Sequence, residues 1–337
     1  MKRFILLCAG AAIGVGAADG LLAASYRVPG LAKYYPARVL GTVRALYMRN
    51  RRIVQYEPDC VRYDAAVGYT LRPGSCRFSN PEFDTRVRVN SLGVRDRESA
   101  LVRPAVVVLG DSLAMGWGVE EEETFARIFE ARSGLPTLDA AVSGYGTVRE
   151  MRLLERIDVS ALRYLVIEYC GNDYQDENEP FYRAGAIPAL NKDGLEAEQL
   201  AYLSSRRYYP GKFIVQLARL VVGGRALGSG VASPVAPMPA GAASAAVDPP
   251  KAFLNALLRG GGAIPARAQV VVLTYDRDFA DGLRRKASSR RYPAWIRGLE
   301  VVDISRRLEG GQFALDDHWN RRGHAAAAEA LLEAVAK

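Results

Sequence analysis

The chain has 337 residues, which is long for a single domain, so we expect one large domain with an extension or insertion. Hydrophobic residues make up 49% and charged residues 24%, a composition that buries a core and excludes a disordered protein. The formal net charge is +8, but no recognised nucleic-acid-binding module or stacking motif accompanies it, so we predict no nucleic-acid partner.

The amino terminus predicts a membrane segment over residues 1–25. Two basic residues precede a stretch of apolar and small residues that approaches the roughly 20 residues needed to cross a bilayer. Asp19 weakens this span, although it lies near one end. The pattern fits an uncleaved anchor, which we favour, and also a signal peptide cleaved near Ala23 and Ala24.

The next predicted region, residues 26–103, begins with strong positive charge. Residues 25–72 contain nine basic and three acidic side chains, a net charge of +6. Such a stretch attracts anionic lipid head groups or an acidic polymer, and a solvated linker is the alternative. Apolar and polar residues then alternate over 83–89, the period of a half-buried strand, so we predict a small β-rich extension against the main domain.

The chain has four cysteines, and two of them predict a disulfide. Cys60 and Cys76 lie 16 residues apart in an otherwise cysteine-poor chain, as a structural disulfide of an oxidising compartment would. Cys8 is then expected to be unpaired in the membrane segment, and Cys170 to be buried and free. Four unconnected thiols in a cytosolic protein are the alternative.

From residue 104 to residue 337, predicted strands alternate with predicted helices. The strands are 105–109, 137–141, 164–169, 269–274 and 299–304, and the helices are 124–133, 148–157, 251–259, 278–286 and 322–335. This alternation predicts an α/β domain with a parallel sheet covered on both faces. Residues from about 175 to 250, whose second part is dominated by Gly, Ala, Ser and Pro, are predicted to form a flexible insertion.

The apolar run VVVL at 106–109 ends at a turn that carries a candidate nucleophile. Gly110 permits a sharp turn, and Asp111 and Ser112 follow it. This places Ser112 at the carboxyl edge of a parallel sheet, where open α/β folds keep their sites.

Other loops at the same edge carry the remaining groups of a serine-based acyl-transfer site. Such a site needs a base, a carboxylate that orients it, and donors for the developing oxyanion. Of the two histidines, His318 lies in a polar loop beside two carboxylates, whereas His324 opens an Ala-rich helix. His318 is therefore the candidate base, and activity should fall as it protonates. A flat profile from about pH 5 to about pH 8 would count against this role.

Four sequence blocks in fixed order resemble those of a known family. They are GDSL at 110–113, SGYGT at 143–147, GND at 171–173 and DDHWNRRGH at 316–324. Together they resemble the SGNH hydrolase superfamily, the GDSL esterases and lipases. The blocks most resemble those of membrane-anchored bacterial members of this superfamily, which also have an upstream segment similar to VNSLGVR at 89–95. The resemblance covers residues 89–337 apart from the insertion.

The resemblance implies a flavodoxin-like three-layer α/β/α sandwich with a parallel sheet. It implies that Ser112 is the nucleophile and His318 the base. The oxyanion hole would be formed by the backbone N–H groups of Ser112 and Gly144 and by the side-chain amide of Asn172.

The chain departs from the family pattern at two places. Cys170 stands where the third block commonly has a glycine. The last block commonly reads D-x-x-H, which would put Leu315 at the acid position. The spacing here is D-x-H, so we assign Asp316 as the orienting acid and keep Asp317 as the alternative. The elbow of α/β-hydrolases, G-x-S-x-G, is also absent because Ala114 stands at its last place.

These observations predict a serine esterase that cleaves carboxylic ester or O-acyl groups on a cell-envelope glycan or lipid. We expect a single-pass protein of the bacterial inner membrane with a periplasmic catalytic domain, or a secreted one if the segment is cleaved. No cofactor and no metal are expected. The alternatives are an O-acyltransferase that moves acetyl groups onto a polysaccharide, and a noncatalytic glycan-binding or assembly protein.

Overall fold

The structure, a computed structural model, describes residues 2–187, 190–222 and 247–336. It begins with helix α1 (Lys2–Arg27), a 3-10 helix (Pro29–Tyr34) and helix α2 (Ala37–Asn50). By length and composition α1 is apolar enough to cross a membrane. The structure does not describe the side chain of Cys8, so the expectation that this thiol is unpaired stays a prediction.

Two antiparallel hairpins follow, as expected for a β-rich extension. The first pairs β1 (Val61–Asp64) with β2 (Gly68–Leu71), and the second pairs β3 (Gly74–Asn80) with β4 (Phe83–Val89). Side chains of β4 alternate strictly between buried and exposed, which confirms the predicted half-buried strand. A disulfide joins Cys60, just before β1, to Cys76 on β3, as the spacing predicts.

The main domain is built on a five-stranded parallel sheet. Its strands are β5 (Val106–Leu109), β6 (Thr137–Asp139), β7 (Tyr164–Tyr169), β8 (Gln269–Thr274) and β9 (Glu300–Asp303). They lie in the order β6-β5-β7-β8-β9, which is the flavodoxin-like order with a switch point between β5 and β7. Short apolar runs such as β5 form the central strands because both faces of this sheet are covered.

Helices cover the sheet on two sides. After the sheet's first strand the helices are α3 (Ser112–Met115), α4 (Phe125–Ser133), α5 (Thr147–Leu154), α6 (Gly171–Asp173), α7 (Glu179–Ala184), α8 (Lys192–Arg206), α9 (Lys212–Val222), α10 (Pro249–Gly260), α11 (Arg277–Ala287), α12 (Ala294–Arg297) and α13 (Arg321–Val335). Helix α4 packs against α13, whereas α10 packs against both α5 and α11. Because crossovers between parallel strands are right-handed, these two groups lie on opposite faces and complete a three-layer α/β/α sandwich.

The structure differs from the prediction of a flexible insertion over residues 175–250. Helices α7, α8 and α9 form there because apolar side chains find a core: Leu195 and Tyr202 on α8 and Phe213 on α9 are buried. Residues 223–246, the stretch rich in small residues, lie outside the described residues, so their flexibility stays a prediction. The domain boundaries predicted after residues 25 and 103 also stay predictions.

Candidate active site

The turn after β5 presents Ser112. Gly110 has φ +155°, and a Cβ there would lie 2.6 Å from the Cβ of Ala114 and 2.9 Å from the Cβ of Glu168, so the turn requires glycine. The carboxylate of Asp111 then accepts the backbone N–H two residues further on, at 2.8 Å, and caps α3. Ser112 is therefore the first residue of a short helix and lies half-buried at the carboxyl edge of the sheet.

The structure brings Ser112, His318 and Asp316 into one hydrogen-bonded chain. His318 Nε2 lies 2.7 Å from Ser112 Oγ, and His318 Nδ1 lies 2.5 Å from Asp316 Oδ1. Asp317 Oδ1 is also near, 3.2 Å from His318 Nδ1, but its side chain is 53% exposed whereas that of Asp316 is fully buried. The geometry favours Asp316 over Asp317 as the orienting carboxylate, since it makes the shorter contact from a fixed, buried position.

Hydrogen bonds fix the loop of residues 313–318, which carries Asp316 and His318. The N–H of Phe313 donates to the carbonyl of His318 at 3.1 Å and closes the loop. Glu82, in the turn between β3 and β4, accepts the three successive N–H groups of residues 314–316 at 2.7 to 2.9 Å. Arg44 on α2 donates to the carbonyl of Ala314 at 2.7 Å. The extension therefore fixes the backbone of the candidate catalytic loop.

Three side chains surround the carboxylate of Asp316, and sequence reasoning found none of them. Arg51 Nη1 lies 2.6 Å from Asp316 Oδ1, and the hydroxyl of Tyr47 donates to Oδ2 at 2.8 Å. Trp117 donates its indole N–H to the same oxygen at 3.3 Å and stacks on the imidazole of His318, with 4.4 Å between ring centroids. The carboxylate of Asp316 and the imidazole of His318 are thus held by packing and hydrogen bonds, as a preorganised site requires.

The charges of the site set the protonation of the imidazole. Burial lowers the pKa of His318, but the carboxylates of Asp316 and Asp317 outweigh burial and raise the pKa to about 9. Burial also raises the pKa of Asp316, yet the positive charges of Arg51 and His318 outweigh it and hold that pKa below its usual value. Asp316 is therefore a carboxylate at neutral pH, and it stabilises a positive charge on its neighbour.

The loops that follow β6 and β7 contact the turn that carries Ser112. The N–H of Val142 donates to the carbonyl of Gly110 at 3.1 Å, and the amide of Asn172 donates to the carboxylate of Asp111 at 3.2 Å. Asn172 thus lies beside the residue that precedes Ser112. Across the described residues, the backbone N–H groups of Ser112 and Gly144 donate to no other group.

The turn at Gly144 is fixed by the extension. The hydroxyl of Tyr69 donates to the carbonyl of Ser143 at 2.7 Å, and Ser143 Oγ donates to Gln55 Oε1 at 2.7 Å. Gly144 has φ +78°, and a Cβ there would lie 2.7 Å from the Tyr69 hydroxyl. No bond in the described part of the chain joins Gly144 to Ser112 directly, so its predicted place in an oxyanion hole rests on the adjacency of the two loops.

Asp173, Cys170 and His324 make contacts outside the chain of contacts that joins Ser112, His318 and Asp316. Asp173 accepts the N–H of Cys170 at 3.4 Å, and burial raises the pKa of this carboxyl well above its usual value. Cys170 is free but only half-buried, and its Sγ lies 3.1 Å from the hydroxyl of Tyr275. His324 is fully buried, where its Nδ1 accepts the N–H of Phe125 at 3.3 Å and burial lowers its pKa to about 3.

One group of side chains among the described residues is close enough together to hold a metal ion: Asp316, Asp317 and His318. Arg51 Nη1, however, lies 2.6 Å from Asp316 Oδ1 and 2.9 Å from Asp317 Oδ1. The guanidinium occupies the position that a cation would take between these carboxylates. The arrangement suits a charged histidine–aspartate pair better than a metal centre.

Comparison with known proteins finds similarity at the level of solved structures. No family model and no curated protein matches the chain. It is similar to a lipolytic protein of the G-D-S-L family from Desulfitobacterium hafniense DCB-2, with 11% identity and a TM-score of 0.36. It is also similar to TesA, with 13% identity and a TM-score of 0.34. Each similarity covers 68% of this chain, and 98% and 97% of those two chains respectively. At TM-scores this low, neither similarity bears on the chemistry of the site.

Proposed function

We propose that this chain is a serine esterase. The observation that supports the proposal is the chain of contacts from Ser112 Oγ to His318 Nε2, 2.7 Å, and from His318 Nδ1 to Asp316 Oδ1, 2.5 Å. A serine hydroxyl is a weak nucleophile by itself, and an adjacent base with a carboxylate behind it is what activates it.

Acylation would proceed by attack of Ser112 Oγ on the carbonyl carbon of the ester while His318 Nε2 takes the serine proton. The oxygen of the tetrahedral intermediate becomes negatively charged, and the N–H groups of Ser112 and Gly144 with the amide of Asn172 would stabilise it. The intermediate then collapses, the bond to the alcohol oxygen breaks, and His318 returns its proton to that alcohol.

Deacylation would repeat these steps with water. His318 Nε2 takes a proton from water, the resulting hydroxide adds to the acyl carbon, and Ser112 leaves with the proton that His318 holds. The acid is then released and the free enzyme restored. If a sugar hydroxyl takes the place of water, the same steps transfer the acyl group, which is the O-acyltransferase alternative.

The proposed location is the bacterial inner membrane, with the catalytic domain in the periplasm and an ester of the cell envelope as substrate. The apolar helix α1 and the disulfide between Cys60 and Cys76 support this location. Asp19, Ala23 and Tyr26, near the end of α1, are buried in the fold. Cleavage near Ala23 would remove part of this packing, which supports an anchor that is retained.

Two measurements on the purified full chain test this function. We expect turnover of p-nitrophenyl acetate, and a fluorophosphonate probe should label the chain covalently on Ser112, located by mass spectrometry of the labelled peptide. A chain that neither turns over the ester nor takes the label would be a binding or assembly protein. Adding an envelope polysaccharide as acceptor distinguishes an esterase from an O-acyltransferase. Acetyl groups found on the polysaccharide indicate a transferase, and free acetate alone indicates a hydrolase.

The pH dependence of the proposed esterase follows from the raised pKa of His318. Only the neutral imidazole can accept the serine proton, so kcat/KM should rise with pH and level off above a pKa of about 9. Below that pKa the increase should be about tenfold per pH unit. The measurement is kcat/KM for p-nitrophenyl acetate from about pH 6 to about pH 10, after subtraction of the rate of Ser112→Ala. A midpoint near about 6.5, the usual value for histidine, would contradict the charge arrangement described above.

A further inference from the structure

Helix α9 is fixed to the apolar helix α1 by a buried carboxylate. Asp19 Oδ1 accepts the N–H of Phe213 at 2.7 Å and that of Ile214 at 3.1 Å. These are donors of the first turn of α9, which have no partner within their own helix. The side chain that weakens α1 as a membrane span therefore has a partner, and that partner is another helix.

The position of Asp19 along α1 determines how deep this contact lies. A hydrocarbon core about 30 Å thick takes about 20 helical residues. Counted from Phe4, such a span reaches Ala23 and so includes Asp19. A carboxylate at that depth is costly unless it is hydrogen-bonded, and α9 supplies two donors to its Oδ1. The first turn of α9 must then lie at the depth of Asp19.

The two faces of α9 have different surroundings. Phe213 and Leu220 pack into an apolar cluster with residues of α1 and α2. Val221 and Val222, by contrast, are 73% and 86% exposed, and Val215 is exposed as well. An exposed apolar helix face directly beside a membrane anchor is what the boundary between lipid head groups and acyl chains covers.

Charge around α9 points to an anionic lipid surface. Residues 20–56 and 203–222 contain no acidic side chains. Seven of their basic side chains are exposed: Arg27, Lys33, Arg38, Arg44, Arg49, Arg207 and Arg219. Tyr34, Tyr208 and Tyr209 are exposed in the same two segments, and tyrosine is enriched where bilayers meet water. Basic residues beside a membrane anchor are attracted to anionic head groups.

We propose that α9 lies in the bilayer interface beside α1, with Val215, Val221 and Val222 against lipid, and that Asp19 holds it there. The inference rests on the anchoring that is part of the proposed function. It deepens that function, because α2 packs against both α1 and α9 and also carries Tyr47, which bonds Asp316. The candidate catalytic loop then lies on the far side of α2 from the membrane surface, one packed helix away from it.

The test uses the full chain with a single reporter cysteine. Cys8→Ala and Cys170→Ala remove the other thiols, and the disulfide pair stays intact. The reporters are Val222→Cys on α9 and Ile13→Cys on α1. The control reporter is Val102→Cys, an exposed residue shortly before β5. Each is labelled with NBD and placed in vesicles of phosphatidylethanolamine and phosphatidylglycerol, with or without a nitroxide on the acyl chains. Turnover of p-nitrophenyl acetate by each labelled protein shows that it is folded.

We expect the nitroxide lipid to quench NBD at positions 13 and 222 and to leave position 102 unquenched. If NBD is quenched at position 13 but not at positions 222 and 102, α1 is in the bilayer and α9 is not. This result would overturn the proposal for α9 and leave the membrane anchor intact. No quenching at 13 would overturn the anchoring itself, and with it the proposal. Asp19→Leu makes α1 more apolar, so it should keep the quenching at 13 and reduce that at 222. Unchanged quenching at 222 in this variant would overturn the role of Asp19.

Discussion

Ser112→Ala is expected to lower kcat/KM for p-nitrophenyl acetate at least about 10⁴-fold. The variant keeps His318, Asp316 and the oxyanion donors, but it has no oxygen that can form the acyl-enzyme. The hydroxyl is half-buried and contacts His318 Nε2 at 2.7 Å, so removing it should leave the fold unchanged. Steady-state kinetics and fluorophosphonate labelling are the measurements, and both signals should disappear together.

The matched control is Ser288→Ala. Ser288 is an exposed serine at the end of α11, and its hydroxyl donates to the carbonyl of Arg285 at 2.9 Å. We expect unchanged kinetics and unchanged labelling. Turnover of Ser112→Ala comparable to that of the control would show that another group attacks the ester, and the proposed mechanism would be wrong.

Asp316→Asn is expected to cost about 10³- to 10⁴-fold in kcat/KM, whereas Asp317→Asn should cost less than about fivefold. The buried Oδ1 of Asp316 lies 2.5 Å from His318 Nδ1 and keeps the Nδ1–H tautomer, in which Nε2 is free to accept a proton. An amide at this position can donate to Nδ1 and so favours the opposite tautomer. Asp317 is half exposed, and water can replace its carboxylate.

The comparison of these two variants settles which carboxylate orients the imidazole. In Asp316→Asn, Arg51 keeps its contact with Asp317 at 2.9 Å, so the guanidinium is not left without a carboxylate. Thermal unfolding of both variants should confirm that they are folded. A larger loss of kcat/KM in Asp317→Asn than in Asp316→Asn would mean that the more exposed carboxylate is the orienting acid.

The sheet and the residues on its edge could be predicted from sequence because their signals are local. The apolar runs at Val106–Leu109 and Tyr164–Tyr169 are strands in the structure, as predicted. Asn320 caps the last helix by accepting the N–H groups of Arg322 and Gly323, and an asparagine just before a helix is a local signal of its start. Ser112 and His318 come together because strand ends of a parallel sheet share one edge.

The surroundings of the site could not be predicted in the same way. Arg51 and Glu82 contact the loop of Asp316 across more than two hundred residues of sequence, and a contact between separate segments leaves no periodic pattern in either one. Helix α9 did have a usable signal, since Phe213, Leu217 and Leu220 have helical spacing. The stretch after α9 is rich in small residues, and its composition led to the prediction of one flexible insertion over residues 175–250.

Tyr47 and Arg51 lie upstream of the first hairpin, so a water-soluble fragment that starts at β1 would lack both. In such a fragment Asp316 would lose the guanidinium at 2.6 Å and the phenol at 2.8 Å. A buried carboxylate deprived of its partners either takes up a proton or moves its loop into solvent. The fragment would keep serine, histidine and aspartate and still be a poor catalyst, so the entire chain in detergent is the material to assay.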